Sequence, residues 1–314
     1  MESVPCNLCG ATDAAFLATV PDLLLERLTV KTTLVRCRQC GLVYQNPRPT
    51  AAAMGEHYPP QYESYADQSV QPRRNWLLQK AAERGVNRRC GFVTRHKGAG
   101  KLLDIGCAAG GFLLGLRTQG DWAVAGVEVN EAVVAQARER HGLDVFAGTL
   151  EAAHYPTATF DAVTLWGVFE HLPDPAQTLQ EIRRILQPDG IVVIWVPNLD
   201  SWNAKLFGAT WAGLDAPRHL YVFTPETLRA FLTKAGFAVI EESCAIGSYM
   251  AFVLDVRFWL TAHGVAAKRK ATISKLLYHP LVRLLSAPLF YLLSKTRRGP
   301  SLVTVARKVE SELL

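Results

Sequence analysis

From residue 101 onward, short apolar segments alternate with helical segments, and this alternation limits the possible folds more than any other feature of the chain. Strands are predicted at residues 101–105, 124–129, 144–147, 162–165, 191–196, 238–242 and 302–306, and helices at 111–119, 131–141 and 175–186. Nearly continuous apolar strands that alternate with helices are typical of a parallel sheet with helices on both faces. The sequence therefore predicts an α/β domain built on a seven-stranded, mostly parallel sheet.

A strand, a glycine-rich turn and a helix follow one another at residues 102–112, which read LLDIGCAAGGF. Small residues let a ligand approach the backbone closely, and the free N–H groups at a helix start attract an anionic group. Glu128 ends the next strand, where an acid can accept hydrogen bonds from both ribose hydroxyls. Together these features indicate an adenosine-containing ligand. The alternative is that the glycines only form a tight turn and that Glu128 lies on the surface.

The turn differs from a dinucleotide-binding motif, because Ala108 stands where that motif has its middle glycine. Here the chain resembles the class I S-adenosylmethionine-dependent methyltransferases, over residues 100 to 308. The resemblance rests on DIGCAAG at 104–110, GVE at 126–128, FDAV at 160–163, FEHL at 169–172 and LQPDG at 186–190. It implies a Rossmann-like sheet and S-adenosylmethionine as the cofactor.

The same resemblance implies which residues hold each part of the cofactor. The methionine part would lie against Asp104 and the turn, and the ribose against the end of the second strand. The adenine would lie after the third strand, where the Thr149 hydroxyl or Glu151 would meet its amino group. The sulfonium would lie after the fourth. The implied set is Asp104, Gly106, Cys107, Ala108, Gly110, Glu128, Val129, Thr149, Leu150, Trp166 and Gly167.

Four of the seven cysteines form two C-x2-C pairs near the N-terminus, Cys6 with Cys9 and Cys37 with Cys40. Each pair is followed by glycine, which suits a tight turn around a metal. Four thiolates at this spacing can close a tetrahedral structural zinc site with no open position, and iron or two disulfides are the alternatives. The predicted organisation is a zinc-binding module at 1–48, a linker and helical lead-in at 49–100, and the methyltransferase domain at 101–314.

Residues 40–49, CGLVYQNPRP, narrow the resemblance to methyltransferases with an N-terminal zinc-binding module. That subgroup includes sugar C-methyltransferases of antibiotic pathways and enzymes of polysaccharide or small-molecule biosynthesis. The zinc-bearing rRNA guanine methyltransferases match less well, because their metal site uses a histidine and a shorter spacing. The resemblance implies a small-molecule, sugar or lipid-linked saccharide acceptor, methylated on oxygen or carbon.

Two histidines, His171 and His219, follow the fourth and fifth strands, where this fold places its acceptor. Methyl transfer needs an aligned acceptor and, for a neutral acceptor, removal of a proton. His219 resembles the catalytic base of the sugar C-methyltransferases, with a loop-pinning hydrogen bond as the alternative. His171 is a second catalytic candidate, and its alternative is a local structural contact. Trp202, Phe207 and Trp211 could form an acceptor wall.

The net charge of +6 is concentrated at the C-terminal end, where residues 256–308 hold eleven Lys and Arg and neither Asp nor Glu. Apolar runs flanked by basic residues make 248–300 an insertion that suits a membrane surface, a substrate lid, or packing in the fold or in a homodimer. Binding to nucleic acid is ranked low, because continuous leucines are not needed to follow phosphates.

The chain has 314 residues, 49% of them hydrophobic, which excludes wholesale disorder. It lacks a secretory pattern and an uncharged run of spanning length, so a cytoplasmic protein, with peripheral membrane contact as an option, is expected. Two functions other than small-molecule methylation stay open. One is RNA methylation, and the other is a non-catalytic scaffold that keeps the fold.

Overall fold

The computed structural model describes residues 1–58, 76–244, 248–296 and 298–309. Residues 59–75 of the predicted linker and Arg297 of the basic insertion lie outside the described residues. The strands are β1 (Ala14–Asp22), β2 (Arg27–Cys37), β3 (Val43–Gln45), β4 (Gly100–Ile105), β5 (Trp122–Glu128), β6 (Asp144–Ala147), β7 (Phe160–Trp166), β8 (Leu186–Pro197), β9 (Tyr221–Val222), β10 (Phe237–Ser243) and β11 (Ser301–Lys308). The α-helices are α1 (Ala51–Met54), α2 (Trp76–Thr94), α3 (Gly111–Arg117), α4 (Glu131–His141), α5 (Pro175–Ile185), α6 (Trp202–Phe207), α7 (Pro225–Lys234), α8 (Ser248–Ala262), α9 (Ala267–Tyr278) and α10 (Pro280–Lys295).

The central sheet has seven strands in the order β10-β11-β8-β7-β4-β5-β6. Its strands β4 to β8 run parallel, whereas β11 runs antiparallel to both of its neighbours. The central strands are apolar on both faces, and Leu102, Leu103, Val163 and Val192 are fully buried. This confirms the predicted Rossmann-like α/β fold with a mostly parallel sheet.

The parallel strands bring separate chain segments to one edge of this sheet. β4 ends at Ile105, β5 at Glu128 and β7 at Trp166, and β4 lies between the other two. Ligands of open α/β sheets bind outside the carboxyl ends of the strands. The residues that follow these three strands therefore form the candidate site.

Local sequence signals set the start of the helices that flank the site. Asn130 caps α4, because its side chain accepts hydrogen bonds from the backbone N–H groups of Ala132 and Val133. Thr224 and Thr227 form a reciprocal capping box at the start of α7, with Pro225 in the first turn. α7 therefore begins at Pro225, directly after its cap Thr224.

The N-terminal residues form a second sheet that also includes β9, a strand from the part of the chain after residue 100. Its order is β1-β2-β3-β9, and β3 pairs with β9 through Val43–Val222 and Tyr44–Tyr221. The backbone N–H of Gln45 also donates to the Leu220 carbonyl at 2.9 Å. The sheet of segment 1–48 is therefore completed by β9, which lies in the loop region after β8.

The insertion before β11 consists of the helices α8, α9 and α10. α8 packs on the fold through buried residues that include Asp255 and Phe258, whereas α9 has none that is buried. Within the described residues, no single helix is long and apolar enough to cross a membrane. Residues 267–278 and 280–293 pass the same length and composition criteria only as a pair, and they are bent by 67°.

Candidate active site

The glycine-rich turn after β4 holds a strained residue at the position where the sequence departs from the dinucleotide motif. Ala108 has a φ of +47°, in the left-handed region that costs an L-residue energy. Its backbone N–H donates to Glu128 Oε2 at 3.1 Å. The turn is thus held in a conformation suited to glycine by a hydrogen bond to the neighbouring strand, which is the kind of strain that collects at functional sites.

Glu128 is buried at the end of β5 and receives one backbone hydrogen bond on each carboxylate oxygen. Ala108 N–H donates to Oε2, and Asn130 N–H donates to Oε1 at 3.0 Å. A carboxylate oxygen has more than one acceptor direction, so this arrangement fixes the group and leaves acceptor capacity for a ligand. Glu128 is therefore positioned as the sequence predicts for a ribose anchor.

Asp104 is the second buried carboxylate at this edge. The Thr164 hydroxyl on β7 donates to its Oδ1 at 2.6 Å. Nearby, a Cβ added to Gly106 would lie 2.5 Å from Val168 Cγ2, so a larger residue would displace the segment that follows β7. Asp104, the turn and β7 therefore form one packed unit.

The predicted cofactor residues that end or follow β5, β6 and β7 differ in how far their side chains are exposed to solvent. Leu150 is buried, Trp166 and Gly167 are partly buried, and Thr149 is exposed. Val129 is 63% exposed, so its side chain points away from the core. Thr149 Oγ1 accepts a hydrogen bond from Ala152 N–H at 3.3 Å. The Glu151 carboxylate, its suggested substitute, accepts one from Thr178 at 3.0 Å.

The donors and acceptors at this edge fit S-adenosylmethionine. The cofactor carries an ammonium group and two ribose hydroxyls, and the two buried carboxylates Asp104 and Glu128 can accept hydrogen bonds from such groups. The Thr164 hydroxyl bonds Asp104, and backbone N–H groups bond Glu128. Both side chains are acidic, so they suit a ligand that carries an ammonium group and hydroxyl groups.

The four N-terminal cysteines come together as predicted, with their sulfur atoms within 4.8 Å of one another. The Sγ atoms of Cys6 and Cys40 are 3.4 Å apart, and those of Cys9 and Cys37 are 3.5 Å apart. All four are free thiols. Four thiolates at 2.3 Å from one tetrahedral zinc would be about 3.8 Å apart. The residues present therefore fit a structural zinc ion.

The two cysteine pairs lie on backbone turns of the same design. Gly10 N–H donates to the Cys6 carbonyl at 2.7 Å, and Gly41 N–H donates to the Cys37 carbonyl at 3.0 Å. Both glycines have a φ near +80°, at +79° and +77°, which explains the glycine after each pair. Burial raises the pKa of Cys37, but backbone hydrogen bonds from Cys40 and Gln39 outweigh it and lower the pKa to about 7.

His171 and His219 are brought together although they are far apart in sequence. Their ring centroids are 4.6 Å apart in a T-shaped arrangement. His171 Nδ1 lies 3.1 Å from the Arg218 carbonyl and 2.8 Å from the Tyr58 hydroxyl, and His219 Nδ1 lies 2.9 Å from the Gly213 carbonyl. A carbonyl only accepts, so Nδ1 carries the hydrogen in each ring and Nε2 keeps a lone pair.

Glu170 completes a buried cluster with these two histidines. Its Oε1 lies 4.0 Å from His219 Nε2. Burial raises the pKa of Glu170 to about 8, and repulsion from Asp215 adds to the rise. Burial also lowers the pKa of His171 to about 3 and lowers that of His219. Both imidazoles are therefore neutral at pH 7, and each keeps a lone pair on Nε2.

Arg218, which directly precedes His219, is a fully buried structural group. Its guanidinium bonds the Asp22 carboxylate at 2.7 Å and bonds Asp215 at 2.7 and 3.0 Å. Burial alone would lower the pKa of Arg218, but these hydrogen bonds raise it, so the group stays charged. The residue fixes the backbone on which His219 lies.

The predicted acceptor wall is not formed in the expected way. Trp211 is buried in the core beneath the N-terminal sheet, together with Val20 and Leu34. The rings of Trp202 and Phe207 each lie 5.9 Å from the ring of Phe252 on α8. This part of the prediction is wrong for Trp211, because its indole is buried in an apolar cluster with side chains of the N-terminal sheet.

Sequence reasoning also missed members of the cluster. Glu170 belongs to the FEHL motif at 169–172. Its place directly before His171 is the sequence feature that could have identified it. Asp22 and Tyr58 gave no signal, since they belong to the N-terminal part of the chain and reach the cluster only through tertiary contacts.

Comparison with known proteins identifies the family of this fold and site. A family model described as a methyltransferase domain matches residues 74–242, which is more than half of the chain. A ubiquinone biosynthesis O-methyltransferase of Pseudomonas aeruginosa is 33% identical over 180 residues, covering 53% of this chain and 71% of that protein. A ubiquinone/menaquinone biosynthesis C-methyltransferase of Geobacter sulfurreducens is 30% identical over 189 residues, covering 54% and 73%.

Other similarities are shorter or concern the fold alone. A probable S-adenosylmethionine-dependent methyltransferase of Mycolicibacterium smegmatis is 32% identical over 151 residues, which are 46% of this chain and 54% of that protein. The chain thus spans about half the length of this relative. The [4+2]-cyclase SpnF has a similar structure, with a TM-score of 0.52, 21% identity and coverage of 83% and 97%. Because SpnF is named a cyclase, the fold by itself does not decide which reaction a protein catalyses. The family match and the site residues together show that the chain belongs to the class I S-adenosylmethionine-dependent methyltransferases.

Proposed function

We propose that this protein transfers a methyl group from S-adenosylmethionine to an oxygen or carbon of a small-molecule, sugar or lipid-linked saccharide acceptor. The observation that carries the proposal is the position of Glu128. Its buried carboxylate is fixed by the turn residue Ala108 at the end of β5. At the same end of the sheet, Glu170 and His171 follow β7 and meet His219 from the loop after β8. The proposed cofactor anchor at the end of β5 and the residues that follow β7 are thus separated by β4 alone.

The cofactor supplies a methyl group activated by a positively charged sulfur, and the chain's own residues position the reactants. Asp104 and Glu128 bind the polar ends of the cofactor, so its orientation is fixed before the acceptor arrives. Trp166 ends β7 and Gly167 follows it, and we propose that they lie beside the sulfonium end of the cofactor. His171 and His219 are proposed to face the acceptor and to promote loss of its proton.

The relatives support both chemical classes of acceptor atom. By their names, one is an O-methyltransferase and another a C-methyltransferase, both of ubiquinone biosynthesis. We therefore retain oxygen and carbon as acceptor atoms. A hydroxyl or an acidic C–H bond must lose its proton during transfer, and the neutral imidazole of His219 is the proposed acceptor of that proton.

We also propose that Cys6, Cys9, Cys37 and Cys40 hold a structural zinc ion. A zinc ion would tie the turn before β1 to the turn after β2, since each contributes one cysteine pair. The site supplies four protein ligands, so it leaves no open position for chemistry. Its function would be to stabilise the sheet that ends in β9.

A membrane surface is the partner that we propose for α9 and α10. Large apolar side chains are exposed on these helices: Leu276, Tyr278, Leu281, Leu284, Leu285, Leu289, Tyr291 and Leu292. Leu285 is 80% exposed. Between residues 256 and 308 the sequence has no acidic residue. An exposed apolar face with only basic charges matches the interface of an anionic bilayer, and it would bring the site close to a lipid-linked acceptor.

Calorimetry with S-adenosylmethionine tests the enzymatic proposal. Wild-type protein is expected to bind it, and Glu128→Ala is expected to bind at least about tenfold more weakly, because a charge-assisted hydrogen bond is worth about 1.5–3 kcal/mol. Glu131→Ala is the matched control, since Glu131 is exposed on α4 and its loss should leave the affinity unchanged. Absence of binding by folded wild-type protein would favour the scaffold alternative.

A further inference from the structure

Glu170, His171 and His219 bring three ligand-type atoms into one small volume. One carboxylate oxygen and one nitrogen from each imidazole all lie within 4.8 Å of one another. His219 Nε2 and Glu170 Oε1 are 4.0 Å apart. Ligands about 2.1 Å from one cation are separated by roughly 3 to 4 Å, depending on the angle between them. The spacing of this pair therefore suits two ligands of one metal ion.

The orientation of both rings is already fixed by the backbone. Each histidine uses Nδ1 to bond a carbonyl, that of Arg218 for His171 and that of Gly213 for His219. Metal-binding histidines in general donate the N–H of their other nitrogen to a carbonyl or carboxylate, which sets the tautomer and directs the lone pair at the metal. The arrangement here leaves the lone pair of His219 Nε2 beside Glu170 Oε1 at 4.0 Å, with a ring nitrogen of His171 within 4.8 Å of both residues' ligand atoms.

Glu170 has an orphaned oxygen at the same place. Its side chain is only 2% exposed, and among the described residues none hydrogen-bonds its Oε2. Burying such an oxygen without a partner is costly. Arg218 is the buried cation nearby, and it is already engaged by Asp22 and Asp215. The partner that Glu170 Oε2 lacks would therefore come from a ligand.

We propose that Glu170, His171 and His219 bind one divalent transition-metal cation that is separate from the cysteine site. Two histidines and one carboxylate leave open coordination positions, in contrast to four thiolates. They also suit harder cations such as Mn²⁺, whereas thiolates select zinc.

The role of this cation rests on the proposed methyl transfer, although its binding does not. An acceptor hydroxyl bound at an open position would lose its proton to water more readily, because the metal stabilises the alkoxide. The C–S bond of the cofactor then breaks as the O–CH₃ bond forms, and S-adenosylhomocysteine leaves. His219 would act as a metal ligand, which replaces the role of base expected from the sequence.

Titration of the full-length, zinc-loaded protein with Mn²⁺, followed by electron paramagnetic resonance of free Mn²⁺, tests the site. Wild-type protein is expected to bind one Mn²⁺ per chain. Glu170→Gln and His219→Asn should each bind it at least tenfold more weakly while keeping their S-adenosylmethionine affinity, which also shows that they are folded. Co²⁺, whose absorption distinguishes nitrogen from sulfur ligands, is the second probe.

Glu128→Gln is the reciprocal control, because it should lose cofactor affinity and keep Mn²⁺. The proposal is overturned if folded wild-type protein binds neither Mn²⁺ nor nitrogen-ligated Co²⁺, or if both cluster variants bind them as wild type does. Mn²⁺ binding without any S-adenosylmethionine binding would support the metal site and contradict the proposed methyl transfer. The two failures are therefore distinguishable.

Discussion

The guanidinium of Arg218 bonds the carboxylate of Asp22 at 2.7 Å, although the two residues are 196 positions apart in the chain. Both side chains are fully buried. Asp22 ends β1, and Arg218 precedes His219 directly. This ion pair therefore couples the N-terminal sheet to the backbone of the candidate catalytic histidine.

Replacement of this buried cation should destabilise the whole fold. Arg218→Met leaves the buried carboxylate of Asp215 without its cation and leaves Asp22 with only the more distant Arg27 at 3.8 Å. Removal of one partner from a buried pair costs about 3–5 kcal/mol. Urea unfolding followed by circular dichroism measures the loss. Arg38→Met is the control, since Arg38 pairs with Asp13 on the surface at 3.3 Å and should change stability by less than about 1 kcal/mol. Equal effects of the two variants would contradict this account.

Loss of one cysteine ligand should remove the zinc. Cys37→Ser is expected to lower the zinc content by one ion per chain and to reduce the thermal stability, because metal binding contributes to folding. Elemental analysis of purified protein gives the content. Cys244→Ala is the matched control, since Cys244 is a buried cysteine outside any disulfide and far from the cluster in sequence. Iron in the wild type, or an unchanged zinc content in Cys37→Ser, would show that the zinc assignment is wrong.

Charges placed on α10 should weaken binding to anionic membranes. Leu285→Glu with Leu292→Glu removes two exposed apolar side chains and adds repulsion from the lipid headgroups, so the affinity should fall at least tenfold. Sedimentation with phosphatidylglycerol vesicles measures it, with phosphatidylcholine for comparison.

The control for the membrane experiment is Leu206→Glu, because Leu206 is an exposed leucine on α6. Two outcomes would contradict the membrane proposal. One is no sedimentation of the wild type, and the other is a homodimer that the α10 variant dissociates.

The stability of the fold should fall as the pH rises through the range in which Asp255 ionises. Burial raises the pKa of Asp255 to about 6, against partial compensation by hydrogen bonds from Asn203 and from Ala212 N–H. The folded state therefore binds the proton more tightly than the unfolded state, whose Asp pKa is near 3.9. Stability from this group is complete below about pH 4 and is lost between pH 4 and 6.

The matched experiment compares wild type with Asp255→Asn across this pH range. Two pKa units correspond to about 3 kcal/mol, so the difference in unfolding free energy between the two proteins should change by up to about that amount. Glu131→Gln, at an exposed carboxylate, should leave the wild-type profile unchanged. A pH-independent difference between wild type and Asp255→Asn would mean that Asp255 does not titrate in this range.

The sequence by itself determined the central sheet and the cofactor edge. Apolar strands and capped helices are local patterns, and the turn at Gly106 with Glu128 spans only neighbouring elements. The cysteine spacing likewise predicted a four-sulfur cluster, because each pair lies within one tight turn. These features depend on contacts between residues that are close in the chain or on adjacent parallel strands.

Only the tertiary structure decided which residues meet around His171 and His219. The meeting of His171 with His219, the buried Arg218–Asp22 pair and the pairing of β3 with β9 join segments that no local periodicity relates. Their geometry follows from packing of the N-terminal sheet against the loop after β8, which also buries Trp211. Side chains in such a junction are selected by mutual burial and charge pairing, so their partners cannot be identified from spacing in the sequence.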